Sequence, residues 1–252
     1  MRYDLVVTGG TVIDPASGLR GPADVAIADG RIVAVAPGIG TTDAADAVNA
    51  TGCLVVPGLV DLHVHVYWGV ADLSIRPGPN DLERGATTIV DAGSSGANTF
   101  PGFRRYVIEP FDGRILALLN ISAMGQIDPF LGELHDERYL IPERAAAVAL
   151  AHPDRIVGFK VRLTETLTGP NARIALERAV AHWNELARVT MSTDAFEISY
   201  ASLKGLPADK AIQGCDLEQA DSKEFRIHRA GSYMQWRKLG FASSTQIGRA
   251  HV

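Results

Sequence analysis

Apolar and polar residues alternate in short runs over the first 56 positions, and turn residues separate the runs. These runs predict strands at residues 3–8, 11–13, 23–28, 31–36 and 53–56. Between two of them lies Asp29-Gly30, a dipeptide typical of two-residue hairpin turns. We therefore expect a small β-layer in which Asp29 and Gly30 have a structural role.

From Pro57 the pattern changes to a repeated order of strand, loop and helix. The predicted strands occupy residues 59–66, 86–91, 115–121 and 156–163, and the predicted helices occupy 81–84, 103–109, 142–151 and 171–187. The last helix places Leu176, Val180, Trp183 and Ala187 on one face. This order is typical of parallel strands joined by crossover helices, and four such units correspond to half of a (β/α)8 barrel.

After about residue 188 the sequence shows neither sustained strand alternation nor a long amphipathic helical period. The last six residues, 247–252, look like the translation of a sequencing-adapter read-through. We therefore interpret residues 188–252 as a disordered or artefactual tail, and a genuine divergent segment is the alternative.

Composition and charge exclude several partners. The 252 residues are 46% hydrophobic with a net charge of −5, which fits a soluble globular protein and gives no attraction for nucleic acid or anionic membranes. Apolar runs are too short for a signal peptide or a membrane span. The two cysteines, Cys53 and Cys215, have no CxxC spacing, so neither a disulfide framework nor a thiolate zinc site is expected. We predict a cytoplasmic protein.

Two histidines stand out in the first strand after Pro57. His63 and His65 are two residues apart, so a strand places both imidazoles on one face, with Leu62, Val64 and Val66 on the other. Imidazole nitrogens are common zinc ligands, and the pair therefore predicts a metal clamp. The alternative is two core histidines satisfied by backbone carbonyls.

A second pair of chemically active residues lies in the run 156–163. Lys160 and Arg162 alternate there with apolar residues and are predicted to face the barrel interior. A buried lysine either loses its proton or acquires an anionic partner. Carbamylation of Lys160 by CO2 would let it bridge two metal ions, whereas a salt bridge to Asp61 or Asp91 is the alternative. Arg162 is a candidate for binding a substrate carboxylate, and a salt bridge is again the alternative.

Further polar residues lie at or near predicted strand ends, where barrel enzymes collect their sites: Asp61, Asp91, Ser94 and Ser95. Roles in turns, or in supporting the site residues, are at least as well founded for them.

Three ordered motifs, Pro57–His65, Gly85–Gly93 and Gly158–Arg162, together resemble the amidohydrolase superfamily, in particular its dihydroorotase-like deacetylase branch. The resemblance covers about residues 1–187. It implies an α/β fold consisting of the first half of a (β/α)8 TIM-type barrel at 57–187. A small β-sandwich part precedes it at 1–56, and 188–252 lie outside the family.

The resemblance also implies a ligand set. His63 and His65 match the pair that binds the more buried metal, and Lys160 matches the carboxylated lysine that bridges two zinc ions. The family adds a histidine on strand 5, another on strand 6 and an aspartate base on strand 8. None of these is assigned, so the catalytic base is unknown. The remaining histidines lie in a helix or outside any apolar strand: His135, His152, His182, His228 and His251.

We accordingly expect a metal-dependent hydrolase that cleaves a small-molecule amide or acyl ester through a metal-bound hydroxide, most simply a deacetylase. A cyclic-amide hydrolase of the dihydroorotase or hydantoinase kind is the first alternative, and a non-catalytic metal-binding half-barrel is the second. Because half of the ligand set is unassigned, we expect the chain as written to be inactive. Its open strand edges favour a homo-oligomer.

Overall fold

The structure, a computed structural model, describes residues 2–78, 85–189, 195–200 and 224–229. The described residues fall into two compact units that divide between Leu59 and Val60.

The first unit is a five-stranded mixed sheet. Its strands are β1 (Tyr3–Asp14), β2 (Leu19–Ala28), β3 (Arg31–Ala36), β4 (Ala44–Asn49) and β5 (Leu54–Val55). The order is β3-β2-β1-β4, and β5 pairs with a further part of β1. Neighbours along β1-β2-β3 are antiparallel, whereas β4 and β5 run parallel to β1. A small apolar cluster of Val12, Ala23 and Val25 packs on this sheet.

The predicted hairpin is confirmed. Ala28 pairs with Arg31, and the intervening Asp29 and Gly30 both have positive φ, 51° and 67°. Positive φ at both central residues is what a type I′ turn requires.

Two features of this unit differ from the sequence-based prediction. Residues 3–14 form one strand rather than two, because an irregularity between Val7 and Gly10 lets pairing with β2 resume. The buried Asp24 carboxylate stabilises this point by accepting the Gly9 N–H at 2.8 Å. Strand β4 was not predicted, since five of its six residues are exposed and carry no alternating apolar pattern.

The second unit contains a curled sheet with strands in sequence order. They are β6 (Leu59–Val64), β7 (Ala86–Gly96), β8 (Arg114–Asn120), β9 (Ile156–Arg162), β10 (Ala195–Tyr200) and β11 (Glu224–Arg229). From β7 to β11 each strand runs parallel to the next. This is the predicted half-barrel of an α/β protein, and it brings the carboxyl ends of neighbouring strands to one edge.

The helices of this unit are α1 (Phe100–Phe103), which continues as a π-turn (Arg104–Ile108), α2 (Pro142–Ala151), α3 (Glu165–Thr168) and α4 (Ala172–Val189). Short 3-10 turns occupy Glu137–Tyr139 and Gly169–Asn171. Helix α2 has the predicted bounds, with Pro142 in its first turn, where the missing N–H costs no hydrogen bond. The predicted helix at 81–84 lies outside the described residues.

The core of the half-barrel lies between the sheet and these helices. Phe100 and Phe103 of α1 are fully buried, and β8 contributes Ile115 and Leu119. On α4, Ala175 and Ala179 are buried in this core, and the partly buried Leu176 packs against it. The other residues predicted for that face, at 180, 183 and 187, have side chains outside the described part.

The prediction that residues 188–252 carry little regular structure is wrong for two segments. Strand β10 lies parallel to β9, and β11 lies parallel to β10. His228, which we placed outside any strand, lies within β11. Each segment alternates apolar and polar residues over only six positions, which is too short to register as a sustained period, and each is held by backbone hydrogen bonds to a neighbouring strand. The interpretation of 188–252 as a tail outside the family stays a prediction.

Within the described ranges, no helix combines the length and apolar content needed to cross a bilayer.

We predict that Gly96→Ala destabilises the half-barrel. A Cβ at Gly96 would collide with the Ser122 carbonyl oxygen and lie 2.6 Å from the carbonyl carbon of Ala123. Because both neighbours are backbone, the sheet must shift, and such overpacking costs about 1–3 kcal/mol. Urea unfolding measures the change. Gly78→Ala is the matched control, since a Cβ there meets nothing within 4 Å. Equal stability of the two variants would contradict the close approach at Gly96.

Candidate metal centre

The two histidines lie side by side at the end of β6. Their ring centroids are 5.5 Å apart and their planes are nearly perpendicular, at 89°. His63 is within the strand and exposed, whereas His65 follows its last residue and is half-buried. The opposite face differs from the expectation of uniform packing, because Val66 is buried but Leu62 is 43% exposed.

The spacing of the two rings fits a shared metal ion. Zinc–nitrogen bonds of about 2.0–2.1 Å place an ion roughly 3.2 Å from each ring centre, and a tetrahedral angle then separates two ligand rings by about 5 Å. The observed 5.5 Å between His63 and His65 is close to that separation. Within the described residues, no group of three or more His, Cys, Asp or Glu side chains is placed to hold a metal.

His65 is tied to the neighbouring strand. Its Nδ1 lies 3.0 Å from the Ser94 hydroxyl of β7. The Ser74 hydroxyl donates to the same Ser94 oxygen at 3.4 Å. Ser94 therefore sets the orientation of the His65 ring. From the sequence, Ser94 was only one of several polar residues near a strand end.

Asp91 connects the two strands through its carboxylate. One oxygen accepts the Val66 N–H at 2.9 Å and the other accepts the Ser94 N–H at 2.7 Å. Burial raises the pKa of Asp91, and these hydrogen bonds oppose that rise by stabilising the charged form. The residue thus has the supporting role that we considered for it.

Lys160 lies in β9 and is 1% exposed. It pairs in register with Asn120 of β8, and its aliphatic stem passes over Gly93 of β7. A Cβ at Gly93 would lie 2.5 Å from Lys160 Cγ, and the φ of Gly93 is +91°. Glycine is therefore required at position 93 for both conformation and space. Since Ser94 follows directly, the residue that contacts Lys160 is bonded to the residue that contacts His65.

Arg162 forms an ion pair with the buried Glu133. Burial lowers the pKa of Arg162 to about 10, and its Nε is buried without a hydrogen-bond partner in the described part of the chain. Asn120 Nδ2 donates to the same Glu133 carboxylate at 2.9 Å and to the Gly93 carbonyl at 3.1 Å. The contact seen here is the salt-bridge alternative, and substrate binding by Arg162 stays a prediction.

Glu133 is the residue that sequence reasoning missed. It lies in the long connection between β8 and α2, and its partner Arg162 is 29 residues away in sequence. A single acidic residue in an irregular segment belongs to no periodic pattern, so the sequence pattern could not single out Glu133. The one indication in the sequence was that a buried arginine needs a carboxylate partner.

Comparison with known proteins supports a relationship. The chain is 41% identical over 142 residues to Deacetylase Atu3266 of Agrobacterium fabrum, a match that covers 56% of this chain and 35% of that protein. It is 29% identical over 179 residues to a deacetylase of Enterococcus faecalis, covering 71% of this chain and 46% of the relative. A dihydroorotase of Syntrophotalea carbinolica is 50% identical over 62 residues, 25% of this chain and 14% of that protein. No protein-family model matches the chain.

Solved structures show the same architecture. A dihydroorotase has a TM-score of 0.68 at 29% identity, covering 83% of this chain and 54% of that structure. An adenine deaminase also has a TM-score of 0.68, at 27% identity, with coverages of 80% and 51%. The chain thus spans about half of these structures, and the stretch matched to the Agrobacterium relative is 35% of that protein's length.

Sheet order, helix positions and these neighbours define an α/β protein with half of a TIM-type barrel. The chain is similar in sequence to deacetylases and dihydroorotases and in structure to a dihydroorotase, as the resemblance to the amidohydrolase superfamily implied.

We predict that Glu133→Gln lowers the free energy of unfolding by about 3–5 kcal/mol, because it leaves the Arg162 guanidinium buried without a counter-charge. Urea denaturation measures the loss. The double variant Glu133→Gln/Arg162→Met is expected to recover part of it, since the unpaired charge is then gone. Arg162→Met is measured alone as well. If the loss of stability in the double variant equals the sum of the losses in the two single variants, the two side chains are not coupled.

Proposed function

We propose that this chain carries the first part of the site of a metal-dependent hydrolase that acts on a small-molecule amide or acyl ester. The observation that carries the proposal is the juxtaposition of His63 and His65 at a spacing suited to one ion, at the strand end where barrel enzymes place their chemistry. The names of the relatives, deacetylase and dihydroorotase, support an acyl or amide substrate.

His63 and His65 would hold one divalent cation, and we expect zinc. Lys160, once carbamylated, would supply a carboxylate shared with a second ion. When bound, such ions polarise a substrate carbonyl and activate water at neutral pH. This chain's own residues then have separate tasks: the imidazoles would orient the ion, and Lys160, which is 1% exposed, would supply the amine that CO2 converts to a carbamate.

We favour deacetylation as the reaction, because the match to a deacetylase extends over 142 residues. Cyclic-amide hydrolysis is the second candidate, since a dihydroorotase is more similar over a shorter stretch, at 50% identity across 62 residues. The expectations of a cytoplasmic location and of homo-oligomers stay predictions.

We predict that the purified chain, stripped of metal and titrated with Zn2+ in bicarbonate buffer, binds about two ions but only weakly, because carbamylated Lys160 is the one ligand assigned to the second ion. His63→Ala and His65→Ala should each abolish the tighter site, because each removes one of two ligands. Lys160→Met should abolish the dependence of the second site on bicarbonate. His135→Ala is the control, since this exposed histidine contacts the Thr166 carbonyl instead. A stoichiometry of one or none would favour the non-catalytic half-barrel, and unchanged binding by His63→Ala would contradict the proposed site.

The same preparation decides activity and substrate. We expect the chain as written to show no turnover of N-acetyl, O-acetyl or cyclic-amide compounds, because loss of a positioned acid or base alone costs about 10²- to 10⁴-fold in rate. Product formation is measured with and without Zn2+, and His63→Ala is the blank. Metal-dependent turnover above that blank would show that the chain is active after all. Faster hydrolysis of the acetyl substrates would then identify a deacetylase. Faster hydrolysis of the cyclic amides would identify a cyclic-amide hydrolase.

A further inference from the structure

We infer that Ser94 is the positioning residue for His65, accepting a hydrogen bond from the ring Nδ1–H so that Nε2 is the nitrogen that takes the metal. The inference rests on the proposed function, because it assigns a task to Ser94 only if His65 is a ligand.

The placement of Ser94 is determined from two sides. Its hydroxyl oxygen lies 3.0 Å from His65 Nδ1, and the residue is 1% exposed, so water cannot readily replace this contact. Its backbone N–H donates to the Asp91 carboxylate at 2.7 Å. The same carboxylate accepts the N–H of Val66, the residue after His65, at 2.9 Å. One buried group therefore holds the backbone on both sides of the contact.

The direction of the hydrogen bond follows from the role proposed for His65, because a ring that binds metal through Nε2 carries its proton on Nδ1, and the Ser94 hydroxyl oxygen has room to accept it. A neutral imidazole carries its proton on one nitrogen, and a hydroxyl oxygen can accept two hydrogen bonds. Ser94 Oγ accepts from the Ser74 hydroxyl at 3.4 Å, which leaves a second lone pair for the His65 Nδ1–H. With Nδ1 protonated, Nε2 is the nitrogen with a lone pair. Partners of this kind orient metal-bound histidines and raise their basicity.

The chain supplies a matched control in the next residue. Ser95 is also fully buried, but its hydroxyl has no hydrogen-bond partner among the described residues. Ser94→Ala and Ser95→Ala therefore remove the same atom from adjacent buried positions, and only the first removes a contact to His65. Ser94→Thr keeps the hydroxyl and tests whether that group restores the effect.

The first measurement is the Zn2+ affinity of the His63–His65 site, obtained by competition with a chromophoric chelator. We expect Ser94→Ala to weaken it by about 10- to 100-fold, as is typical when a histidine loses its outer partner. Ser95→Ala should leave it unchanged, and Ser94→Thr should recover most of it. Equal affinity of the wild type and a folded Ser94→Ala, or equal losses for the two alanine variants, would overturn the inference while the proposed function stands. A wild type without His63-dependent binding would instead overturn the proposed function.

The second measurement needs no change at Ser94. Nitrogen-15 NMR of the imidazole ring in the metal-free wild type reports which nitrogen carries the proton. We expect protonated Nδ1 and unprotonated Nε2 for His65, assigned by the loss of its signals in His65→Gln. A neutral His65 ring with its proton on Nε2 would overturn the inference even if Ser94→Ala failed to fold.

Discussion

The buried carboxylate of Asp91 is the interaction on which the candidate site depends. It accepts hydrogen bonds from the backbone N–H groups of Val66 and Ser94. It therefore holds the segment just after β6 against the carboxyl-terminal part of β7. A fully buried carboxylate is costly unless such donors compensate it, and burial still leaves its pKa raised. The Asp91 carboxylate contacts both Val66, the residue after His65, and Ser94, which contacts the His65 ring. It therefore fixes the distance between these two neighbours of His65.

Close backbone approach is the second constraint. Gly93 lets the stem of Lys160 pass directly over β7, and Gly96 lets the chain after β8 contact the end of the same strand. These contacts place Lys160 against the residue that precedes Ser94. The inner face of β9 also carries Arg162, and Glu133 brings a carboxylate to it from a connecting segment. The Arg162 guanidinium is thereby accommodated in a largely apolar interior with a carboxylate partner in place of water.

The histidine pair lies at the margin of this buried arrangement. His63 is exposed and the adjacent Leu62 faces solvent, whereas β7, β8 and β9 are largely buried. Asp91, Ser94 and Lys160 are thus buried, whereas most residues of β6 are exposed among those that the structure describes.

The sequence by itself determined the features that repeat over short distances. The two-residue spacing of His63 and His65, the Asp29-Gly30 hairpin and the alternation of strands and helices each follow from local backbone geometry. Only the tertiary structure decided the partners. Ser94 meets His65, and Glu133 meets Arg162, across 29 residues in each case, and β10 and β11 join the sheet although each carries only a short alternation of apolar residues. Such contacts depend on the path of the intervening chain and on backbone hydrogen bonds at a strand edge, and neither leaves a periodic pattern in the sequence.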